Sequence, residues 1–203
     1  MIVMTEWREK RYWVDAGGSL SVFVFLVFSM FSILWMGAVA CSRAEQVEKT
    51  RETLSASEEL MTCLALVRAH HRQADMYLKM GDVESAAQAV ARIPDVSCPE
   101  DASEASGAML DAHARLSELY VRLGKIDEAL RTARVGLEDY KEESFFRAHL
   151  LMTYGDVLDV KAKDLEAQGD KKGADELRRL AIEKFSESIE INRRLQKELL
   201  EQL

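Results

Sequence analysis

The order of apolar and polar residues divides the chain into two parts. From Ala16 to Ser42 the sequence has no charged residue, and within this stretch only serines interrupt the apolar run Leu20–Met36. After Arg43, apolar and charged residues recur with a helical period. The pattern predicts an apolar N-terminal segment over residues 1–41 and an all-α domain over residues 42–203.

The N-terminal segment fits three targeting functions. With residues 37–40 it reaches about 20 apolar residues, enough to cross a bilayer as one helix. The run Gly37-Ala38-Val39-Ala40-Cys41 resembles the lipobox of bacterial lipoproteins, and this resemblance implies cleavage before Cys41 and lipidation of its thiol. A retained signal anchor and ordinary cleavage after Ala40 stay open as alternatives.

Basic residues before the apolar run indicate on which side of the membrane the helical domain lies. Arg8, Lys10 and Arg11 precede the run, and such residues favour a cytoplasmic N-terminus. In the lipidated and anchored forms, the domain is therefore expected on a bacterial membrane, facing the periplasm or the exterior.

Glycine and proline punctuate the helical domain. The breaks at Gly81, Gly124 and Gly169, and a loop over Pro94–Gly107, separate the predicted helices. The helices are expected over residues 43–80, 83–93, 108–123, 126–140, 142–165 and 171–203.

A short motif occurs twice at these breaks. Tyr77 lies four residues before Gly81 and Ala86 lies five after it, and Tyr120, Gly124 and Ala129 repeat this spacing. Glycine permits the backbone turn, while alanine lets the second helix approach the first closely. The motif therefore predicts helical hairpins.

These motifs resemble the tetratricopeptide repeat (TPR) family. A third, longer copy runs through Tyr154-Gly155 and Gly169 to Ala181, whose distance of twelve residues from Gly169 exceeds the usual five by about two helical turns. The resemblance implies an α-solenoid of three hairpins, over about residues 68–98, 111–141 and 148–192, with the third hairpin extended. A generic helical bundle is the alternative.

The resemblance also implies a groove for a protein partner, lined by the first helix of each hairpin. Its candidate residues are Arg68, His71, Asp75, Lys79, Asp111, Arg115, Glu118, Arg122, His149, Met152, Asp156 and Asp159.

The three cysteines separate into an anchor and a pair. Cys63 lies 18 residues before Gly81 and Cys98 lies 17 after it, so an antiparallel hairpin brings both to its open end. A disulfide between them needs an oxidising compartment. Two unpaired buried thiols are the alternative.

The net charge and the sequence motifs argue against several classes of function. The net charge of −8 lies entirely after Arg43, and an acidic domain repels nucleic acid. No phosphate-binding loop, nucleophile elbow or zinc motif occurs, so we expect no enzyme activity and no cofactor. His70 and His113 occupy equivalent positions in the first two repeats, where packing is the commoner role, and no metal site is predicted.

The C-terminal segment carries an apolar stripe with charged flanks. The stripe, within residues 185–203, comprises Phe185, Ile189, Ile191, Leu195, Leu199, Leu200 and Leu203. Its end can pair with another copy, or it can fold back on residues 142–165. The sequence thus predicts a non-catalytic, membrane-tethered interaction scaffold in an envelope complex; the alternative is an assembly factor that oligomerises through this helix.

Overall fold

The computed structural model describes residues 54–99 and 101–202, and all regular structure within these ranges is helical. The helices are α1 (54–79), α2 (Val83–Val90), α3 (Ser103–Arg122), α4 (Ile126–Asp139), α5 (Phe145–Ala167) and α6 (Lys171–Glu201). The segment 1–41, with its membrane or signal helix and Cys41, lies outside the described residues. None of the helices searched within the described ranges is both long and apolar enough to cross a bilayer.

Three helical hairpins follow one another along the chain, and their turns share one geometry. Gly81, Gly124 and Gly169 have φ values of 80°, 72° and 89°, as the glycine spacing predicted. In each turn the glycine N–H and the following N–H donate to carbonyls of the last helical turn, at 3.0 and 2.9 Å. This double hydrogen bond ends a helix on a left-handed residue, so glycine is favoured at all three positions.

Alanines bring the two helices of each hairpin together. Ala86 and Ala129, five residues after their turn glycines, are fully buried. In the third hairpin Ala174 has this same spacing from Gly169 and is also fully buried, and Ala181 is 3% exposed one heptad later. Both alanines therefore lie on the face of α6 that packs against α5.

The loop between the first two hairpins is shorter than its composition predicted. Helix α3 begins at Ser103 and includes Gly107, which the sequence analysis had placed in the loop. A Cβ atom at Gly107 would lie 2.7 Å from the ring of Phe146 on α5. The close approach of α3 to α5 thus depends on a helical glycine, and packing outweighs the low helix propensity of this segment.

Buried side chains form a core that runs between successive hairpins. Its first cluster includes Val67, Ile93 and Leu116, and a second includes Leu110, Leu150 and Leu158. Because α3 contributes to both clusters, the hairpins share one continuous core over the described part of the chain.

Candidate functional site

The twelve candidate groove residues all lie on the first helices of the hairpins, and none is fully buried. Helix α1 carries Arg68, His71, Asp75 and Lys79. Helix α3 carries Asp111, Arg115, Glu118 and Arg122, and helix α5 carries His149, Met152, Asp156 and Asp159.

Four of these residues form a polar network between α1 and α3. Arg115 donates hydrogen bonds to Nδ1 of His71, at 3.1 Å, and to the carboxylate of Asp75. Because a guanidinium group can only donate, Nδ1 must accept and a neutral His71 carries its proton on Nε2. That nitrogen lies 3.6 Å from Oδ2 of Asp111. The network therefore joins the first two hairpins across the candidate surface.

The network lowers the pKa of two of its members, His71 and Asp75. Burial lowers the pKa of His71, and the positive charge of Arg115 lowers it further. The hydrogen bond from Arg115 lowers the pKa of the Asp75 carboxyl. A neutral imidazole and an ionised carboxylate are thus the forms that suit Arg115 at neutral pH.

Five other charged residues of this surface make no ion pair with another residue in the described part of the chain. Among the described residues, no ion pair involves Arg68, Lys79, Glu118, Arg122 or Asp156. Lys79 and Arg122 occupy equivalent places in their hairpins, each four residues after an acidic residue. Successive hairpins thus repeat an acidic position followed by a basic one.

The part of the surface on α5 combines an apolar end with an acidic centre. The rings of Phe145 and His149 are stacked, with centroids 6.5 Å apart, and Met152 is 44% exposed one turn further on. Burial, together with the nearby Asp159 carboxylate, raises the pKa of Asp156. Asp159 itself is paired with Lys163 at 2.6 Å, whereas Asp156 forms no ion pair with the residues that the structure describes.

A disulfide joins Cys63 and Cys98, the pair that the sequence analysis named. Their Cα atoms are 5.2 Å apart and 35 residues apart in sequence. Cys63 is on α1, where it is 1% exposed, and Cys98 follows α2 in the loop. The bond therefore closes the open end of the first hairpin, opposite the turn at Gly81.

Two ion pairs that the sequence analysis did not name also connect successive hairpins. Lys125 pairs with Glu84, and Lys161 pairs with Asp127, each at 3.0 Å. The acidic residue of each pair lies near the start of the second helix of a hairpin, Glu84 in α2 and Asp127 in α4. Equivalent acidic residues three positions after Gly81 and Gly124 are a sequence signal that could have found these pairs.

The two equivalent histidines, His70 and His113, each have a buried ring nitrogen. Their Nδ1 atoms have no hydrogen-bond partner among the residues that the structure describes. A Cβ atom at Gly136 on α4 would lie 2.8 Å from the His113 ring, so this ring fills a close contact between α3 and α4. Within the described ranges, no group of three or more His, Cys, Asp or Glu residues could hold a metal ion.

The C-terminal stripe is partly packed and partly exposed. Phe185 lies against Gly155, whose Cβ would be 2.5 Å from the ring, and Ile191 is buried. Leu199 and Leu200, near the end of α6, are 65% and 66% exposed. Leu195 still packs against the buried cluster of Ala148, Leu151 and Ile191, so the exposed end of the stripe begins after Leu195.

No protein-family model matches the chain, and no curated protein matches its sequence.

Proposed function

We propose that the protein is a non-catalytic, TPR-like scaffold that is tethered to a bacterial membrane and holds a protein partner of an envelope complex. The observation that carries this proposal is the surface on α1, α3 and α5. It combines a fixed polar network with charged side chains at repeated positions that form no ion pair with other described residues. A surface of this kind can orient a partner through charge complementarity.

The hairpin geometry supports the TPR-like part of the proposal. The three turns repeat the same backbone hydrogen bonds, and a fully buried alanine follows each turn glycine by five residues. Stacked hairpins of this kind present their first helices as one extended face. The candidate residues on α1, α3 and α5 would then line a single groove.

Two features support a tethered domain outside the cytoplasm. The apolar run Leu20–Met36 is long enough for an anchor or a lipoprotein signal. The Cys63–Cys98 disulfide is of the kind that persists in the periplasm or outside the cell. The intact mass of the purified protein tests this part, because it separates lipidated, cleaved and full-length chains.

Charge reversal on the proposed groove tests partner binding. The full chain, solubilised from membranes in detergent, is used as bait in the wild-type form and as the triple variant Arg68→Glu, Lys79→Glu and Arg122→Glu. The matched control reverses Arg92, Arg131 and Arg179, three exposed basic residues outside the first helices. Both variants change the net charge by the same amount.

We expect the groove variant to lose specific partners and the control variant to retain them. Circular dichroism should show equal helix content in all three proteins, since every substituted side chain is exposed. A partner set that is unchanged by the groove variant, or lost equally in both variants, would contradict the proposed groove.

A further inference from the structure

One imidazole nitrogen at the centre of the polar network between α1 and α3 has two mutually exclusive roles. Nδ1 of His71 accepts a hydrogen bond from Arg115 at 3.1 Å. A proton on the same nitrogen would turn it into a donor, and two donors cannot bond to each other. The side chain of His71 is 17% exposed, so a proton can reach it from solvent. The imidazole can therefore hold either Arg115 or a second proton, but not both.

The charged and titratable groups that act on His71 come from two helices. On its own helix α1 they are the neighbouring imidazole of His70 and the carboxylate of Asp75. On α3 they are Asp111, whose Oδ2 lies 3.6 Å from Nε2 of His71, and Arg115, which also donates to Asp75. Two carboxylates and one guanidinium group thus surround this imidazole.

Helix α2 does not enter this balance. It packs on α1 as the second half of the same hairpin, and its one charged residue is Glu84. The carboxylate of Glu84 accepts two hydrogen bonds from Lys125, at 3.0 and 3.2 Å. The protonation of His71 is therefore decided between α1 and α3, the two helices that the network joins.

We propose that a proton on His71 switches the junction between the first two hairpins and thereby regulates the groove. With a neutral His71, Arg115 is bound to both His71 and Asp75. With a protonated His71, Arg115 keeps Asp75 alone, and the Nε2–H of the imidazolium pairs with Asp111. The neutral form leaves two carboxylates against one cation, whereas the protonated form balances them, so a bound partner meets a different charge pattern.

The neutral form is the one that joins the two hairpins more strongly. Burial is the largest cause that lowers the pKa of His71 from 6.5, followed by the positive charge of Arg115, and these outweigh the carboxylates of Asp111 and Asp75. The unfolded chain therefore binds this proton more readily than the folded one. The stabilising contribution of His71 is complete above pH 6.5 and declines as the pH falls below that value.

The regulation of a partner rests on the function proposed above, whereas the switch itself is a property of the chain alone. All four network residues belong to the proposed groove, so a partner bound across α1 and α3 would contact them directly. The tests below use the protein without a partner. Their failure would reject the switch and leave the proposed groove standing.

The first test follows the protonation of His71 directly. The full chain in detergent is labelled with ¹⁵N at its four histidines, and the ring nitrogen shifts are recorded from about pH 8 to about pH 5. At neutral pH we expect an unprotonated Nδ1 on His71. Arg115→Gln should raise the pKa of His71 and Asp111→Asn should lower it, because these substitutions remove opposite charges. A pKa governed by burial alone would move in neither variant.

The second test measures the junction itself by amide hydrogen exchange. After correction for the intrinsic pH dependence, exchange in α1 should become about two- to tenfold faster as His71 is protonated, the change expected from the loss of one hydrogen bond. His71→Asn keeps an amide oxygen that can accept from Arg115 and does not titrate in this range, so it should remove most of this increase.

His149→Asn is the matched control, because His149 lies on the first helix of the third hairpin and outside the network. This variant should keep the increase in α1. An increase of equal size in His71→Asn, or a pKa of His71 that is the same in the wild type, Arg115→Gln and Asp111→Asn, would overturn the proposal.

Discussion

The disulfide between Cys63 and Cys98 makes a quantitative prediction about stability. The bond spans 35 residues, and cross-linking removes conformational entropy mainly from the unfolded chain. In the chain-entropy model, a loop of this length contributes about 4 kcal/mol to the free energy of unfolding at 25 °C. For the compact unit Ser55–Leu203, an unfolding entropy of about 2.1 cal/mol/K per residue converts this into a change in Tm of roughly 12 °C.

The assay compares thermal unfolding of the full chain, followed by circular dichroism, with and without reductant. The wild type should lose roughly 12 °C in Tm on reduction. The double variant Cys63→Ala and Cys98→Ala is the control, and its Tm should be the same in both buffers because it has no bond to reduce. Equal Tm values for the oxidised and the reduced wild type would refute the loop-closure reasoning. Two free thiols in the native, unreduced protein, beyond Cys41, would remove its premise.

Three further perturbations test the packing. Gly155→Ala should destabilise the protein by about 1–3 kcal/mol in urea unfolding, because its Cβ would lie 2.5 Å from Phe185; Phe185→Leu in the same chain should recover part of the loss. Ser188→Ala should cost about 1 kcal/mol, because it removes the 2.7 Å hydrogen bond to Ala148, and an unchanged urea midpoint would contradict this. Burial lowers the pKa of His113 from its ordinary 6.5, so the unfolded chain binds a proton first and the free energy of unfolding should fall as pH drops below 6.5. His113→Gln should flatten that slope between pH 7.5 and 5.5.

The turn ends of the hairpins could be predicted because their geometry is local. A glycine at the end of a helix and an alanine five residues later are visible in the sequence, and both have the same role in each hairpin. The third hairpin was aligned on Ala181 because Leu165 takes the place of tyrosine before Gly169. Ala174, with the spacing of the first two motifs, was therefore overlooked.

The helices that carry the candidate surface could be predicted from the sequence, but the hydrogen bonds between its residues could not. The resemblance to TPR proteins assigned all twelve residues to the first helices of the hairpins, and the structure has them on these helices. It could not show that Arg115 reaches across to His71 and Asp75, since this depends on the register between α1 and α3. That register depends on packing between residues distant in sequence, such as the buried cluster that contains Val67 of α1 and Leu116 of α3, which no single-helix pattern reveals.

The open ends of the hairpins differ from one another because each is held by contacts distant in sequence. The first is closed by the Cys63–Cys98 bond. In the second, Arg147 of the next hairpin donates to the carbonyls of Leu137 and Tyr140 at the end of α4. In the third, Arg194 binds Glu143 through two hydrogen bonds of 2.7 and 2.8 Å.

Removing the disulfide, or the hydrogen bonds of Arg147 or Arg194, should therefore destabilise one open end and leave the three turns intact. An open end can vary without disturbing the repeated turn, because the turn is stabilised by its own backbone hydrogen bonds. The contacts that differ from one hairpin to the next are therefore those at the open ends.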